Sequence, residues 1–211
     1  MAKTKPFENH LAEYEQWFED NIYVYKSELA AIHRFIPNTG RGVEIGVGSG
    51  LFASKLDIKE GCDPSKNMLN LAAERGIEVS EGTAEKLPYM SESFDFALMV
   101  TTICFVDDVH KSLDEIRRIL KPKGFVIIAF VDKNSPVGKM YLAEKDKSIF
   151  YKDATFFSTE DVYNYLWEHD FEIAGTLQTI FGNMNEINKV QEPKKEYGEG
   201  SFVVVKAVKK E

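Results

Sequence analysis

Three glycines recur at every second position, Gly46, Gly48 and Gly50, directly after the apolar-acidic run Val43-Glu44-Ile45. Without a Cβ, such a backbone can turn sharply and let a ligand approach its amides. Asp63 follows further on, ending the run Gly61-Cys62 and preceding Pro64-Ser65. An acid at the end of a second strand can accept hydrogen bonds from both hydroxyls of a ribose. The plain alternatives are tight helix–strand packing for the glycines and a helix cap for Asp63. Together, on consecutive strand ends, the two features favour a nucleotide-type ligand. Leu51 stands where a dinucleotide site would carry its last glycine, and no phosphate-cradling G-x-x-x-x-G-K-[ST] occurs.

The elements that must position these residues follow from periodicity. Over residues 7–36, Phe7, Leu11, Tyr14, Phe18, Ile22, Tyr25, Leu29, Ile32 and Ile36 recur at steps of three or four. That is one helical face, too long for an unbroken helix here, so a break is expected near Asp20-Asn21. Strands are expected at 42–45, up to Asp63, at 77–79, 94–100 and 125–131, with helices at 51 onward, 66–75 and 109–120 between them. This alternation implies βαβ units and a parallel sheet. Ser158-Thr159-Glu160-Asp161 opens another helix with a capping-box-like start. Two final strands, near 171–180 and 201–208, have no crossover helix between them and should pair antiparallel. The expected class is α/β: a Rossmann-like, mostly parallel seven-stranded sheet with helices on both faces, an antiparallel last strand and an N-terminal helical cap. The chain reads as one domain, 1–211: a cap over 1–40, a ligand-binding core over 41–131, a lid over 132–157, and a last helix with strands over 158–211.

Composition narrows the function classes. The 211 residues carry 26 basic against 34 acidic side chains, net −8, without the basic footprint of a nucleic-acid binder. Two cysteines, Cys62 and Cys104, make neither a disulfide framework nor a zinc site and suit a reducing, cytoplasmic setting. The N-terminal residues lack the apolar core of a signal peptide, and no run is long enough to span a membrane. The histidines, His10, His33, His110 and His169, sit in or beside predicted helices and read as ordinary surface or core residues.

The run VEIGVGSGLFASKL resembles motif I of the class I S-adenosylmethionine-dependent methyltransferases. GCDPSKNMLNLA, EGTAEKLPYMSESFDFALMV and LKPKGFVIIAF resemble, in order and spacing over 41–131, further motifs of their small-molecule, type 11 group. The resemblance implies S-adenosyl-L-methionine as cofactor. Gly46, Val47, Gly48 and Gly50 would line its methionine part, with Glu44 organising that loop. Asp63, beside Pro64, would hold the ribose, Met68 would approach the adenine, and the Ala84 amide would face that ring. Thr83 stands where the group has Asp, so either the Thr83 hydroxyl or Glu85 would take the adenine amino group. The group's L-H-H-V is replaced by Thr101-Thr102-Ile103-Cys104-Phe105. Thr101 would then lie against the cofactor, and Thr101, Thr102 and Tyr14 become the candidates nearest the chemistry; strand-end packing is the equally plain reading of the two threonines.

Absences narrow the acceptor. No N-P-P-Y or D-P-P-Y follows the fourth strand, which argues against adenine or amide nitrogen methylation. Metal-assisted catechol-type methyltransferases carry an acid after the fourth strand and an Asp-Asn pair after the fifth; here position 101 is Thr and Asp132 and Asn134 are separated, so the comparison implies no metal. The acceptor pocket should come from the N-terminal helices and 133–157, with Tyr14, Trp17, Phe18, Tyr141, Phe150, Tyr151, Phe156 and Phe157 as wall or core. An aromatic wall in an acidic protein suits a small amine or flat organic molecule through cation–π contacts. The expected activity is methyl transfer to a small-molecule acceptor. The alternative is a non-catalytic regulator or scaffold that keeps the cofactor site; a nicotinamide-dependent oxidoreductase is disfavoured by Leu51 and the later motifs. Oligomeric state is left open.

Overall fold

Alternating apolar side chains let β4 (Phe94–Val100) serve two cores at once. Phe94, Ala97 and Met99 enter one core, whereas Phe96, Leu98 and Val100 enter the other. A strand apolar on both faces must be covered on both. The computed structural model, which describes residues 4–210, shows how.

Three helices lead in: α1 (Lys5–Asn9), α2 (Leu11–Asp20) and α3 (Ile22–His33). The expected break falls at Asn21, whose amide and side chain both donate to the Trp17 carbonyl at 2.9 Å. A second break, at His10, had no sequence signal that we read. Then follow β1 (Gly42–Ile45), α4 (Leu51–Lys55), β2 (Glu60–Asp63), α5 (Lys66–Glu74) and β3 (Glu78–Glu81). After β4 come α6 (Val109–Ile119), β5 (Leu120–Val131), α7 (Pro136–Glu144), α8 (Thr159–Glu168), β6 (Phe171–Thr179), β7 (Lys194–Lys195) and β8 (Phe202–Lys209). Helix starts are set by side chains: Ser65 caps α5, Asp108 caps α6 and Ser135 caps α7. Ser158 and Asp161 close a full capping box on α8, as the sequence predicts.

The sheet runs β3-β2-β1-β4-β5-β8-β6-β7. Pairings from β3 to β5 are parallel, and β8 lies antiparallel between β5 and β6. The described residues therefore form eight strands rather than the expected seven. The extra one, β7, is a two-residue edge strand paired to Leu177 and Gln178 of β6, too short and too polar to leave a periodic signal. The fifth strand also begins earlier than expected. Lys121-Pro122-Lys123-Gly124, between the helix expected over 109–120 and the strand expected over 125–131, belongs to β5 through a register shift, with Lys123 at φ +63°. Helices α6 and α8 cover one face; α3, α4, α5 and α7 cover the other. Strand order reverses between β1 and β4, so the switch-point crevice opens at their carboxyl ends.

The segment 132–157, expected as a lid, is pinned at both ends and holds α7. Asp132 accepts from the Thr159 amide at 2.9 Å and hydroxyl at 2.6 Å, while the Lys133 amide donates to the Phe157 carbonyl at 2.9 Å. No helix among the described residues is long and apolar enough to cross a membrane.

Candidate active site

The β1–α4 loop turns through three left-handed glycines, with φ of +71° at Gly46, +52° at Gly48 and +82° at Gly50. They do different work. A Cβ on Gly46 would lie 2.4 Å from the Thr102 methyl and hydroxyl, so the loop packs directly against the end of β4. A Cβ on Gly48 would meet the Tyr14 hydroxyl of α2 at 3.4 Å. A Cβ on Gly50 would press on Ala72 of α5, at 3.1 Å from its Cα, so this glycine serves helix packing. Val47 is buried in the core and fills the space over Gly61.

Asp63 joins the two strand ends. Its Oδ2 accepts the Gly48 amide at 3.0 Å and its Oδ1 accepts the Ser65 amide at 2.8 Å. Ser65, not Asp63, caps α5. Each carboxylate oxygen keeps a second lone pair for a ligand. Burial pushes the Asp63 carboxyl up, and the Ser65 and Gly48 amides oppose that shift.

One cavity of about 200 Å³ runs from this loop to the far side of the cap. A water needs roughly 10–15 Å³, so this space suits a molecule rather than solvent alone. Gly46, Gly48, Asp63, Pro64, Met68, Thr83, Ala84, Glu85, Thr101, Thr102 and Tyr14, all predicted, line it. Glu44, Val47 and Gly50 stand behind the wall rather than in it. Glu44 is 2% exposed and takes an amide hydrogen bond from Ala53, while its Oε2 is an unpartnered buried atom. Burial pushes its carboxyl well above the ordinary range, and the charge of Asp63 adds to the effect.

The candidates nearest β4 are differently disposed. The Thr102 hydroxyl is committed to backbone, donating to the Val100 carbonyl at 3.0 Å and lying 3.4 Å from that of Gly46. Thr101 has φ +47°, costly for a β-branched residue, and its amide donates to the Ala129 carbonyl at 2.8 Å. Burial, with Glu44 and Asp63 nearby, holds the Tyr14 phenol protonated far above its ordinary range, so it can hydrogen-bond but not act as a base. Glu85 Oε1 takes the Asp107 amide at 2.7 Å and the Asp108 amide at 3.3 Å, fixing the loop before α6.

Trp17, Phe18, Tyr141, Phe150 and Tyr151 also line the cavity; Phe156 and Phe157, expected with them, do not line it. Tyr141 and Tyr151 stack with ring centroids 4.8 Å apart. The sequence reading missed Asp107, Met184 and Glu28, which also line the cavity. Glu28 carried a signal: it lies three residues after Tyr25 and four before Ile32, on the stripe that the helical period assigns to the core. No Lys, Arg or His stands among the described lining residues.

A family model described as a methyltransferase domain matches residues 43–128. A crystal structure from Thermotoga maritima, described as an S-adenosylmethionine-dependent methyltransferase and possible histamine N-methyltransferase, superposes with TM-score 0.96 at 48% identity, covering 98% of this chain and 100% of that one. This chain belongs to the S-adenosylmethionine-dependent methyltransferases. An uncharacterised protein of Methanocaldococcus jannaschii is 45% identical over 96% of this chain and 98% of its own length. The demethylmenaquinone methyltransferase of Chlorobaculum parvum is 31% identical over 59% of this chain and 55% of its own length. The protein is thus an enzyme with S-adenosyl-L-methionine as cofactor. The methyltransferase cavity suits that cation: its charged lining is wholly acidic, and Gly46 and Gly48 bring backbone to its wall.

Proposed function

We propose that this methyltransferase transfers the methyl group to the nitrogen of a small amine. The observation that carries the reading is the cavity lining, which joins the glycine loop to aromatic rings and holds no basic side chain among the described residues. Aromatic faces attract organic cations, whereas an acidic wall repels anionic acceptors. The description of the Thermotoga maritima relative as a possible histamine N-methyltransferase agrees with an amine acceptor.

In this reading Asp63 accepts from the ribose hydroxyls, Met68 and Ala84 flank the adenine, and Thr83 or Glu85 takes its amino group. Gly46 and Gly48 admit the methionine part, and Glu44, Val47 and Gly50 hold the loop in shape from behind. S-adenosyl-L-methionine supplies a methyl on a sulfonium sulfur: the amine lone pair forms the new N–C bond, the C–S bond breaks, and its electron pair stays on sulfur. Tyr14 lies beside Gly48 with its hydroxyl, and the Thr101-Thr102 turn packs against Gly46. Tyr141, Phe150 and Tyr151 exclude water, so that alignment supplies most of the acceleration. Thr102 acts here as a structural tie rather than as a proton acceptor.

The test is turnover with S-adenosyl-L-methionine and a panel of primary amines, imidazoles, phenols and alcohols, read by mass spectrometry as S-adenosylhomocysteine and methylated acceptor. Methylated amines are the expected product. Methylation confined to phenols or carbon centres would replace the amine reading.

A further inference from the structure

Glu28 sits in mid-helix on α3 and is 7% exposed. A carboxylate so placed is costly unless something pairs with it. Among the described residues no donor or cation does so: burial alone accounts for its shift, and it faces the cavity. Its electrostatic neighbours are phenols. Tyr141 of α7, Tyr151 in the turn beyond it and Tyr25 on α3 each feel its charge. All three phenols are themselves pushed up by burial and stay neutral. Tyr14, by contrast, feels Glu44 and Asp63.

A lone acid among aromatic rings, with no basic residue in the lining, is complementary to one kind of guest. We infer that Glu28 is the acceptor anchor of this methyltransferase: its carboxylate pairs with the ammonium of a protonated amine and takes the proton that must leave before nitrogen can attack. This rests on the amine reading and adds the residue that selects it. In the step, an ammonium N–H bond breaks, its electron pair remains on nitrogen, and the proton forms an O–H bond on Glu28. After transfer the product leaves as a methylammonium, and Glu28 returns its proton to solvent.

The carboxyl is pushed up to about 8 by burial. It is therefore neutral at pH 7 in the empty cavity and ionises readily when a cation arrives. Among the described residues, the titratable groups coupled to it are the phenols of Tyr25, Tyr141 and Tyr151, which stay neutral, so Glu28 is the group of this cluster expected to ionise in the kinetics.

The experiment uses wild type, Glu28→Gln and Glu28→Asp. Binding of phenethylamine, histamine and the neutral match 2-phenylethanol is measured by calorimetry with S-adenosylhomocysteine present, alongside turnover from pH 6 to 10. Expected is amine binding to wild type in preference to 2-phenylethanol, lowered about 30-fold or more in Glu28→Gln and partly restored in Glu28→Asp. S-adenosylhomocysteine affinity should be unchanged in all three. The wild-type kcat/KM should be bell-shaped, rising through the carboxyl ionisation and falling as the free amine deprotonates; Glu28→Gln should only rise toward the amine's own ionisation. Equal amine affinity and an unchanged profile in Glu28→Gln would overturn the inference while leaving amine methylation standing. Amines that bind through Glu28 but are never methylated would remove the amine reading and, with it, the part given to Glu28 in the step, leaving only a cation site. Wild type that holds S-adenosylhomocysteine but binds neither amine would remove both.

Discussion

The Gly48 amide donates to Asp63 Oδ2 at 3.0 Å, tying the turn after β1 to the end of β2. The same carboxylate holds the Ser65 amide. Asp63 is therefore both a wall of the cavity and a clasp between strand ends, so its removal should cost twice. Asp63→Ala should lose S-adenosylhomocysteine affinity and also stability, each charged hydrogen bond being worth about 1.5–3 kcal/mol. Asp63→Asn keeps an acceptor oxygen and should melt closer to wild type while still binding more weakly. Calorimetry and thermal melts separate the two losses. Wild-type affinity in Asp63→Ala would remove the ribose assignment.

Gly46 and Gly76 share a left-handed backbone, φ +71° and +83°, but not their surroundings. A Cβ on Gly76 meets nothing within 4 Å, whereas on Gly46 it strikes Thr102. Gly76→Ala should therefore cost only the backbone term of about 1–2 kcal/mol, leaving cofactor affinity intact. Gly46→Ala must push the loop off β4 and should lower S-adenosylhomocysteine affinity about tenfold or more. Equal affinities for the two variants would show that the loop can yield without disturbing the site.

Gly46, Gly48 and Gly50 were legible in the sequence because φ > 0 and close approach leave a mark on residue type at fixed local spacing. So were Asp63, the capping box of α8 and the two-sided apolar run of β4. What escaped depends on tertiary partners. β7 exists only because Lys194 and Lys195 meet β6. The Ser135-Pro136 start of α7 is a readable cap, yet the segment after it lacks a strong apolar stripe. Gly50 and Val47 look like wall residues by motif, but Ala72 and Gly61 decide that they pack behind it. Glu28 was visible as an acid on an apolar stripe; only the cavity shows that no cation was placed to meet it.

That same residue makes a stability prediction independent of activity. Burial raises the Glu28 carboxyl to about 8, so the folded protein holds a proton that the unfolded chain releases at ordinary carboxylate acidity. Stability contributed by this group is then full at low pH and is lost as pH rises toward 8. Glutamine does not titrate. At about 1.4 kcal/mol per tenfold change in acidity, the apo Glu28→Gln variant should gain on the order of a few kcal/mol over wild type at pH 9. That corresponds to several degrees in Tm, at roughly 2–4 °C per kcal/mol. Near pH 4.5 the gap should close. A gap of the same size at both pH values would show that Glu28 does not titrate in this window.

The cap should open more easily than the sheet beneath it. Helix α2 has no fully buried residue. One anchor is Arg75, whose guanidinium pairs with Glu15 of α2 and donates to the Ser49 carbonyl at 2.6 Å. Aromatic edges add to it: Phe7 meets Phe105 at 5.1 Å and Phe150 at 5.4 Å between ring centroids, closing α1 over the cavity. Few buried contacts imply low local opening energy. Amides of α1, α2 and 145–152 should therefore exchange faster than those of β1 or β4 in the apo protein, and slow when S-adenosylhomocysteine binds. Glu15→Gln should speed apo exchange in α2 further and weaken cofactor affinity no more than about fivefold, because a partly exposed pair contributes at most about 1 kcal/mol. Exchange in these segments that is unaltered by S-adenosylhomocysteine would mean that the cap is a fixed wall, and that both cofactor and acceptor enter between α2 and the 145–152 turn without its moving.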